Sequence, residues 1–274
     1  MKWEKTTKMN KNNYLQEVLS SYKMAHVSDL MEKYIEKREK VKDALATKFK
    51  DEIVTRAINS GSYAKHDAIN IKFDLDVCQP FKHNSFSTLE EMADAVFDFC
   101  NEEFEDDDLV KYATRKQRVS TGLTFIIDGD EIQFDIVPGR ELSEDDYSVT
   151  NRLNLFVRAK LLQSASTTQT NIQKHIDLVK GKTAERDIIR LLKVWKTNKS
   201  NIGVKSFLFE LITIRAFDKC SEVPNGIWQK LEMVLEYIRD NIKTIRLEDP
   251  ANSNNVVSDT MTDSEKENLY WDMN

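Results

Sequence analysis

From Ser28 to Asn59 the chain carries neither glycine nor proline, and no other feature limits its fold as much. In this run, "SDLMEKYIEKREKVKDALATKFKDEIVTRAIN", Leu30, Tyr34, Val41, Leu45, Phe49, Ile53 and Ala57 recur at helical spacing. The pattern predicts one long amphipathic helix. Asp29 with Glu32 reads as a capping box at its start. At 1.5 Å per residue such a helix extends about 45 Å, enough to brace two lobes. It stops at Gly61-Ser62, in a chain with only seven glycines.

Beyond Gly61 the periodicity changes. "KFDLDVCQPF" alternates, with Phe73, Leu75 and Val77 on one face and Asp74 and Asp76 on the other, as in a strand. Residues 87–105 return to helix. "TGLTFIIDGDEIQFDIVPGR" reads as a hairpin about Asp128-Gly129, a favoured two-residue turn pair. There Ile132, Phe134 and Ile136 share one face, and Gln133, Asp135 and Val137 the other. The polar stretch "QSASTTQTN", 163–171, reads as a lobe boundary or connector. Helices are expected over 172–179, 183–197, 204–219 and 225–247, then the loop "LEDPANSNNVVSD" and a short acidic helix. The fold class is therefore α+β: a brace helix, a small mixed unit, then an all-helical unit, divided as 1–162 and 163–274.

Composition narrows the function. A net charge of -6 gives no electrostatic case for generic DNA or RNA binding, although a local basic groove stays open. No apolar run approaches the roughly 20 residues of a membrane helix. The N-terminus lacks the apolar core of a signal peptide. Cys78, Cys100 and Cys220 are isolated and odd in number, which fits a reducing cytoplasm rather than a disulfide frame or a zinc site.

Three aspartates carry the chemistry. Asp74 and Asp76 lie on one strand face about 7 Å apart, and Asp135 lies mid-strand opposite an apolar face. Aspartate is depleted in strands, and three together would raise a pKa unless a cation neutralises them. Mg²⁺ takes oxygen ligands and leaves positions for substrate phosphates; two ions would serve an in-line phosphoryl displacement, and Mn²⁺ is an alternative. The denser runs "EEFEDDD" and "SEDD" lack an apolar strand beneath them and read as solvated faces. Gly61 allows a sharp turn and a close approach to a ligand, and Ser62 adds a hydroxyl and an N–H, with the next helix start pointing its amides the same way. Solvent exposure alone would explain Asp-Leu-Asp; the Gly-Ser turn eleven residues before it and Asp135 after it together point to a metal and phosphate site.

With Gly61-Ser62, Asp74, Asp76 and Asp135 in this order, the sequence resembles the DNA-polymerase-β-like nucleotidyltransferase superfamily. Within it, "GSYAKH…FDLDV" looks like the CD-NTase (cyclic GMP-AMP synthase/DncV-like) branch. "ERDIIRLLKVWK…VKSFLFELI" and "LEDPANSNN" are similar to the helical lobe shared by those cyclases, 2′-5′-oligoadenylate synthetases and archaeal CCA-adding enzymes. The resemblance spans about Arg56 to Val257. It implies a bilobed, polymerase-β-like core with a C-terminal helical lobe. By its terms Asp74, Asp76 and Asp135 bind metal, Lys193 and Ser206 touch a triphosphate, and Phe207, often Tyr in relatives, stacks on a base.

Arg186, Arg190 and Lys193 fall at i, i+4 and i+7, one basic stripe opposite Ile188, Leu191, Leu192 and Trp195. That stripe is also compatible with a solvated face, and Phe207 with plain core. The resemblance implies a cytoplasmic, Mg²⁺-dependent enzyme, a monomer, joining nucleoside triphosphates into a cyclic or short linear signal in antiphage defence. Its partners would be the nucleotides and regulatory or effector proteins of a defence operon. No zinc-insertion cluster and no large basic surface is evident, so no activation by double-stranded DNA is expected. Two rivals stand beside it: a terminal nucleotidyltransferase acting on an RNA or tRNA end, and an idle nucleotide-binding module. The role of His66 and Asp67 is open between ending a helix and shaping the pocket.

Overall fold

The computed structural model describes residues 10–71, 75–104, 114–127, 129–160, 163–199 and 203–273. In chain order the helices are α1 Lys11–Ser21, α2 Ser28–Lys48, α3 Gly61–Ala64, α4 Leu89–Glu103, α5 Asp146–Thr150, α6 Ile172–Val179, α7 Thr183–Asn198, α8 Ser206–Lys219, α9 Ile227–Asn241 and α10 Asp263–Asp272. The strands are β1 Ile58–Asn59, β2 Val77–Phe81, β3 Arg115–Lys116, β4 Thr121–Ile127, β5 Asp130–Glu141, β6 Leu153–Val157, β7 Ser166–Thr170, β8 Glu248–Asp249 and β9 Asn252–Val256. The fold is α+β, as the sequence predicts.

β5 is the spine of a mixed sheet. It pairs antiparallel with β4 in the register Ile127↔Asp130, which is the expected two-residue hairpin, and Gly129 takes φ +89° in its turn. Its other edge pairs parallel with β2, Val77 opposite Ile136. β1 adds antiparallel to β2, and β6 pairs with the far end of β5. Because β2 is flanked on both edges and covered on both faces, all five of its residues are buried. Ile132, Phe134 and Ile136 supply the core face of β5, as their alternation requires.

The expected brace helix is shorter than its composition allows. α2 spans 21 residues, about 32 Å, and ends at Phe49. The Phe49 ring meets Phe81, Phe86 and Phe99 edge-on, and Ile53 then bridges to Phe81 as extended chain. Aromatic packing outweighs helix propensity there, which is a weak preference at each residue. The expected capping box is also absent. A 3₁₀ turn, Met24–Val27, runs straight into α2, so Asp29 lies inside the helix, and no side chain caps its start.

The stretch expected to be a connector holds another strand. Thr170 pairs with Leu153 and Ser166 with Val157, so β7 extends the sheet beyond β6. Its serines and threonines are polar because the strand lies at an edge and is half exposed; β-branched threonine suits that place. The expected loop "LEDPANSNNVVSD" likewise contains the hairpin β8–β9.

Two large apolar cores result. The sheet core joins α2 and α4 to β2, β4 and β5 through Val41, Leu45, Met92, Val96, Phe81, Phe125 and Phe134. The helical core gathers Ile188, Leu192, Leu208, Phe209, Ile212, Val234, Ile238 and Leu269, and also Leu15 and Leu19 of α1. Among the described residues the chain therefore runs from the helical core at α1 to the sheet core at α2 and returns at α7.

Candidate active site

The site is built where the two cores face each other. β1 delivers the chain to Ser60, whose N–H donates to the Asp76 carbonyl at 2.8 Å. Gly61 then takes φ +69°, and a Cβ there would lie 1.9 Å from Asp76 Oδ2. Glycine is required twice over, for the left-handed backbone and for the carboxylate seated against it. Ser62 follows in α3, which ends after four residues because Lys65 and left-handed His66, φ +57°, turn the chain away.

Asp76 and Asp135 are neighbours by register. Each immediately precedes the paired residues Val77 and Ile136 of parallel strands, so the two point to one face about 4.8 Å apart in strand spacing. Asp135 Oδ1 accepts from Gln117 Nε2 at 2.8 Å, and Gln117 Oε1 accepts from Ser120 Oγ at 2.8 Å. Gly122 lies opposite Asp135 on β4; a Cβ there would lie 2.7 Å from Gln117 Nε2. Asp74 lies outside the described residues. Among the described residues no three His, Cys, Asp or Glu side chains gather as a metal group. The two aspartates that are described fit a hard divalent cation, since they offer oxygen donors on adjacent strands and Gly61 leaves room beside one of them.

A cleft of about 560 Å³ opens over this turn. Six predicted residues line it: Gly61, Ser62 and Asp76 from the sheet side, Lys193, Ser206 and Phe207 from the helical side. Phe207 is half-buried, its ring edge-on to His175, which holds Asp249 Oδ1 through Nε2 at 2.7 Å. Phe207 thus belongs both to the helical core and to the cleft wall.

The basic stripe is arranged differently from the expectation. Lys193 is only 7% exposed, and Arg190 turns away to the His66 carbonyl and Asp187. Lys193 and Lys196, one turn apart on α7, and Lys199, just past its end, line the cleft instead. Lys196 donates to Ser206 Oγ at 3.2 Å, and burial, then the charge of Lys193, pushes its ammonium below the ordinary lysine range. Lys65 is a fourth ammonium in the cleft. A chain of net negative charge thus places four lysines in one cleft, beside the carboxylates of Asp76 and Glu210.

No protein-family model and no curated protein matches the sequence. Solved structures do match. E. coli MS115-1 CdnC, determined with ATP, aligns at TM-score 0.71 and 21% identity over 95% of this chain and 88% of CdnC. CdnC has also been determined in a complex with HORMA-deltaN. Bradyrhizobium diazoefficiens CdnG, a CD-NTase in complex with GTP, aligns at TM-score 0.71 and 11% identity over 96% and 88%. Vibrio cholerae DncV, a cyclic AMP-GMP synthase, aligns at TM-score 0.60 and 12% identity over 97% and 74%.

The chain has the CD-NTase fold.

Within that fold, sequence reasoning missed Lys65, Lys196 and Glu210, and it left the role of Asp67 open. Asp67 is fully buried, its Oδ1 2.8 Å from Lys193 Nζ. Burial and the nearby Glu210 push its carboxyl up, and the lysines only partly offset them. Glu210 is pulled down, because Lys65 and Lys193 outweigh the cost of its burial. A lone glutamate inside the apolar run "FLFELI" was the available signal for Glu210. Nothing comparable marked Lys65 or Lys196 among forty basic residues.

Proposed function

We propose that this chain is a nucleotidyltransferase of the CD-NTase kind, which joins nucleoside triphosphates into a cyclic or short linear oligonucleotide and releases pyrophosphate. The observation that supports it most is the meeting in one cleft of Gly61, Ser62 and Asp76 with Lys193, Ser206 and Phe207. Asp74, Asp76 and Asp135 would hold two Mg²⁺ ions, with Mn²⁺ as a substitute. When bound, such ions neutralise phosphate charge and ease deprotonation of an attacking hydroxyl.

The chain's own groups do the rest. Ser62, Lys193, Lys196 and Ser206 bind and orient the donor triphosphate, and Phe207 stacks on a base, an interaction worth roughly 1–3 kcal/mol. Asp135, fixed by Gln117, faces the acceptor hydroxyl and favours loss of its proton. The acceptor oxygen bonds to the donor α-phosphorus, the bond to the bridging oxygen breaks, and pyrophosphate leaves. The setting we propose is the cytoplasm of a bacterium, in antiphage signalling, with a monomeric enzyme under a regulatory protein and a nucleotide-gated effector downstream. The complex of CdnC with HORMA-deltaN supports the regulatory partner.

The test is incubation of purified protein with four ribonucleoside triphosphates and Mg²⁺ or Mn²⁺, with and without tRNA, then phosphatase treatment and mass spectrometry. A phosphatase-resistant small product, lost in Asp74→Asn/Asp76→Asn, is the expected result. Products formed only on added RNA would overturn it in favour of a terminal transferase. Nucleotide binding with no product under any of these conditions would leave the idle nucleotide-binding module.

A further inference from the structure

Glu210 sits on α8 one turn beyond Ser206 and Phe207, so all three face the cleft. Its carboxylate is 2% exposed and divides between two ammonium groups: Oε2 to Lys65 Nζ at 2.5 Å, Oε1 to Lys193 Nζ at 3.2 Å. Lys65 closes α3, just after the Gly61-Ser62 turn, and its ammonium lies 5.4 Å from the centre of the Phe207 ring. Lys193 also holds the fully buried Asp67, Oδ1 at 2.8 Å, but of these two carboxylates Glu210 is the one bonded to both lysines, and it ties the sheet side of the cleft to both helices of its other wall.

A cluster of this kind is a poor choice for stability alone. Buried ion pairs seldom outperform apolar packing of equal volume, because desolvation cancels most of the attraction. Two ammonium groups side by side would also repel without the carboxylate between them. Both lysines nevertheless line the cleft wall rather than the protein interior. An anion entering from the cleft therefore meets two positive groups whose separation the carboxylate already sets, so little ordering remains to be done on binding.

We infer that Glu210 is a positioning residue that holds Lys65 and Lys193 as a paired cradle for the phosphate chain of a nucleoside triphosphate, with Lys65 a second phosphate-binding lysine. The inference rests on the proposed function for the identity of the anion; the cradle itself is tested with inorganic tripolyphosphate.

Isothermal titration of the full chain with tripolyphosphate, paired with thermal denaturation, decides the matter. Wild-type protein binds, Lys65→Met and Glu210→Gln each weaken binding by about tenfold or more, and Lys65→Arg restores most of it. The double variant weakens binding by less than the product of the two single effects, because Glu210 acts partly through Lys65. Should Glu210→Gln not fold, the comparison of Lys65→Met with Lys65→Arg carries the test. A Lys65→Met protein that loses melting temperature but keeps tripolyphosphate affinity overturns the inference, since Lys65 is then only a strut. Wild-type protein that does not bind tripolyphosphate overturns it as well. Wild-type protein that binds through both lysines yet makes no oligonucleotide leaves the cradle standing and sinks the proposed function instead.

Discussion

At the scale of single residues, the turn at Gly61 is the most exacting position. Alanine there takes up a left-handed backbone at a cost of about 1–2 kcal/mol and drives its Cβ into the Asp76 carboxylate. Gly61→Ala should therefore lose product formation as fully as Asp76→Asn, with a lower melting temperature that Asp76→Asn does not share. The cysteines give a second residue-level expectation. Burial pushes the Cys78 thiol up to about 12 and raises Cys100 further, whereas Cys220 is partly exposed. A thiol reagent at pH 8 should label Cys220 in the native protein and reach Cys78 and Cys100 only on unfolding. Fast labelling of Cys78 would show that β2 is not the closed central strand described above. These residues also mark how far sequence reasoning reaches. Gly61, Asp76 and Asp135 were legible because a rare residue type stood in an unsuitable local context. Gln117 and Gly122 were not, because their roles arise only when β4 lies beside β5.

At the scale of elements, α2 ends where aromatic packing overrides helical pattern. Phe49 is 5% exposed among three other rings, so Phe49→Ala should cost roughly 3–5 kcal/mol, read as a lower urea midpoint. The β8–β9 hairpin depends on one carboxylate. Asp249 accepts from the Ala251 N–H at 2.8 Å and from Asn255 Nδ2 at 3.1 Å, and it holds His175. Burial would raise its carboxyl, but His175 and these donors outweigh burial and hold it below the ordinary value of 3.8. Its stabilising contribution is therefore complete above that value and fades as pH falls through the depressed one. As pH falls below about 3.8, the melting temperature of wild-type protein should fall more steeply than that of Asp249→Asn. Equal slopes would remove Asp249 as the acid-sensitive anchor of the hairpin. β7 and the β8–β9 hairpin were hard to read in the sequence for one reason: a polar edge strand and a polar loop have the same composition, and only pairing with β6 or side-chain bonds to the backbone separate them.

At the scale of the whole molecule, the chain's order and its packing disagree. α1 lies in the helical core, with Asn12 Oδ1 accepting from the Trp228 backbone N–H at 2.8 Å, although residues 22–182, the sheet unit among them, intervene in sequence before α7. Sequence periodicity located α6 to α9 but carried no information on which core each would join. The cleft inherits this arrangement, since its walls come from both cores. A ligand there binds only the state in which both are folded, so it must stabilise both by mass action. The described tryptophans, Trp195, Trp228 and Trp271, all lie in or beside the helical core, so their fluorescence reports that half alone. The amide infrared band of the sheet reports the other. With a non-reactive nucleoside triphosphate analogue and Mg²⁺ at about a hundred times its Kd, both signals should shift upward together by about 5–10 °C. A shift in tryptophan fluorescence without one in the sheet band would place the ligand on α7 and α8 alone. It would also remove the Gly61-Ser62 turn and the aspartates from the binding site.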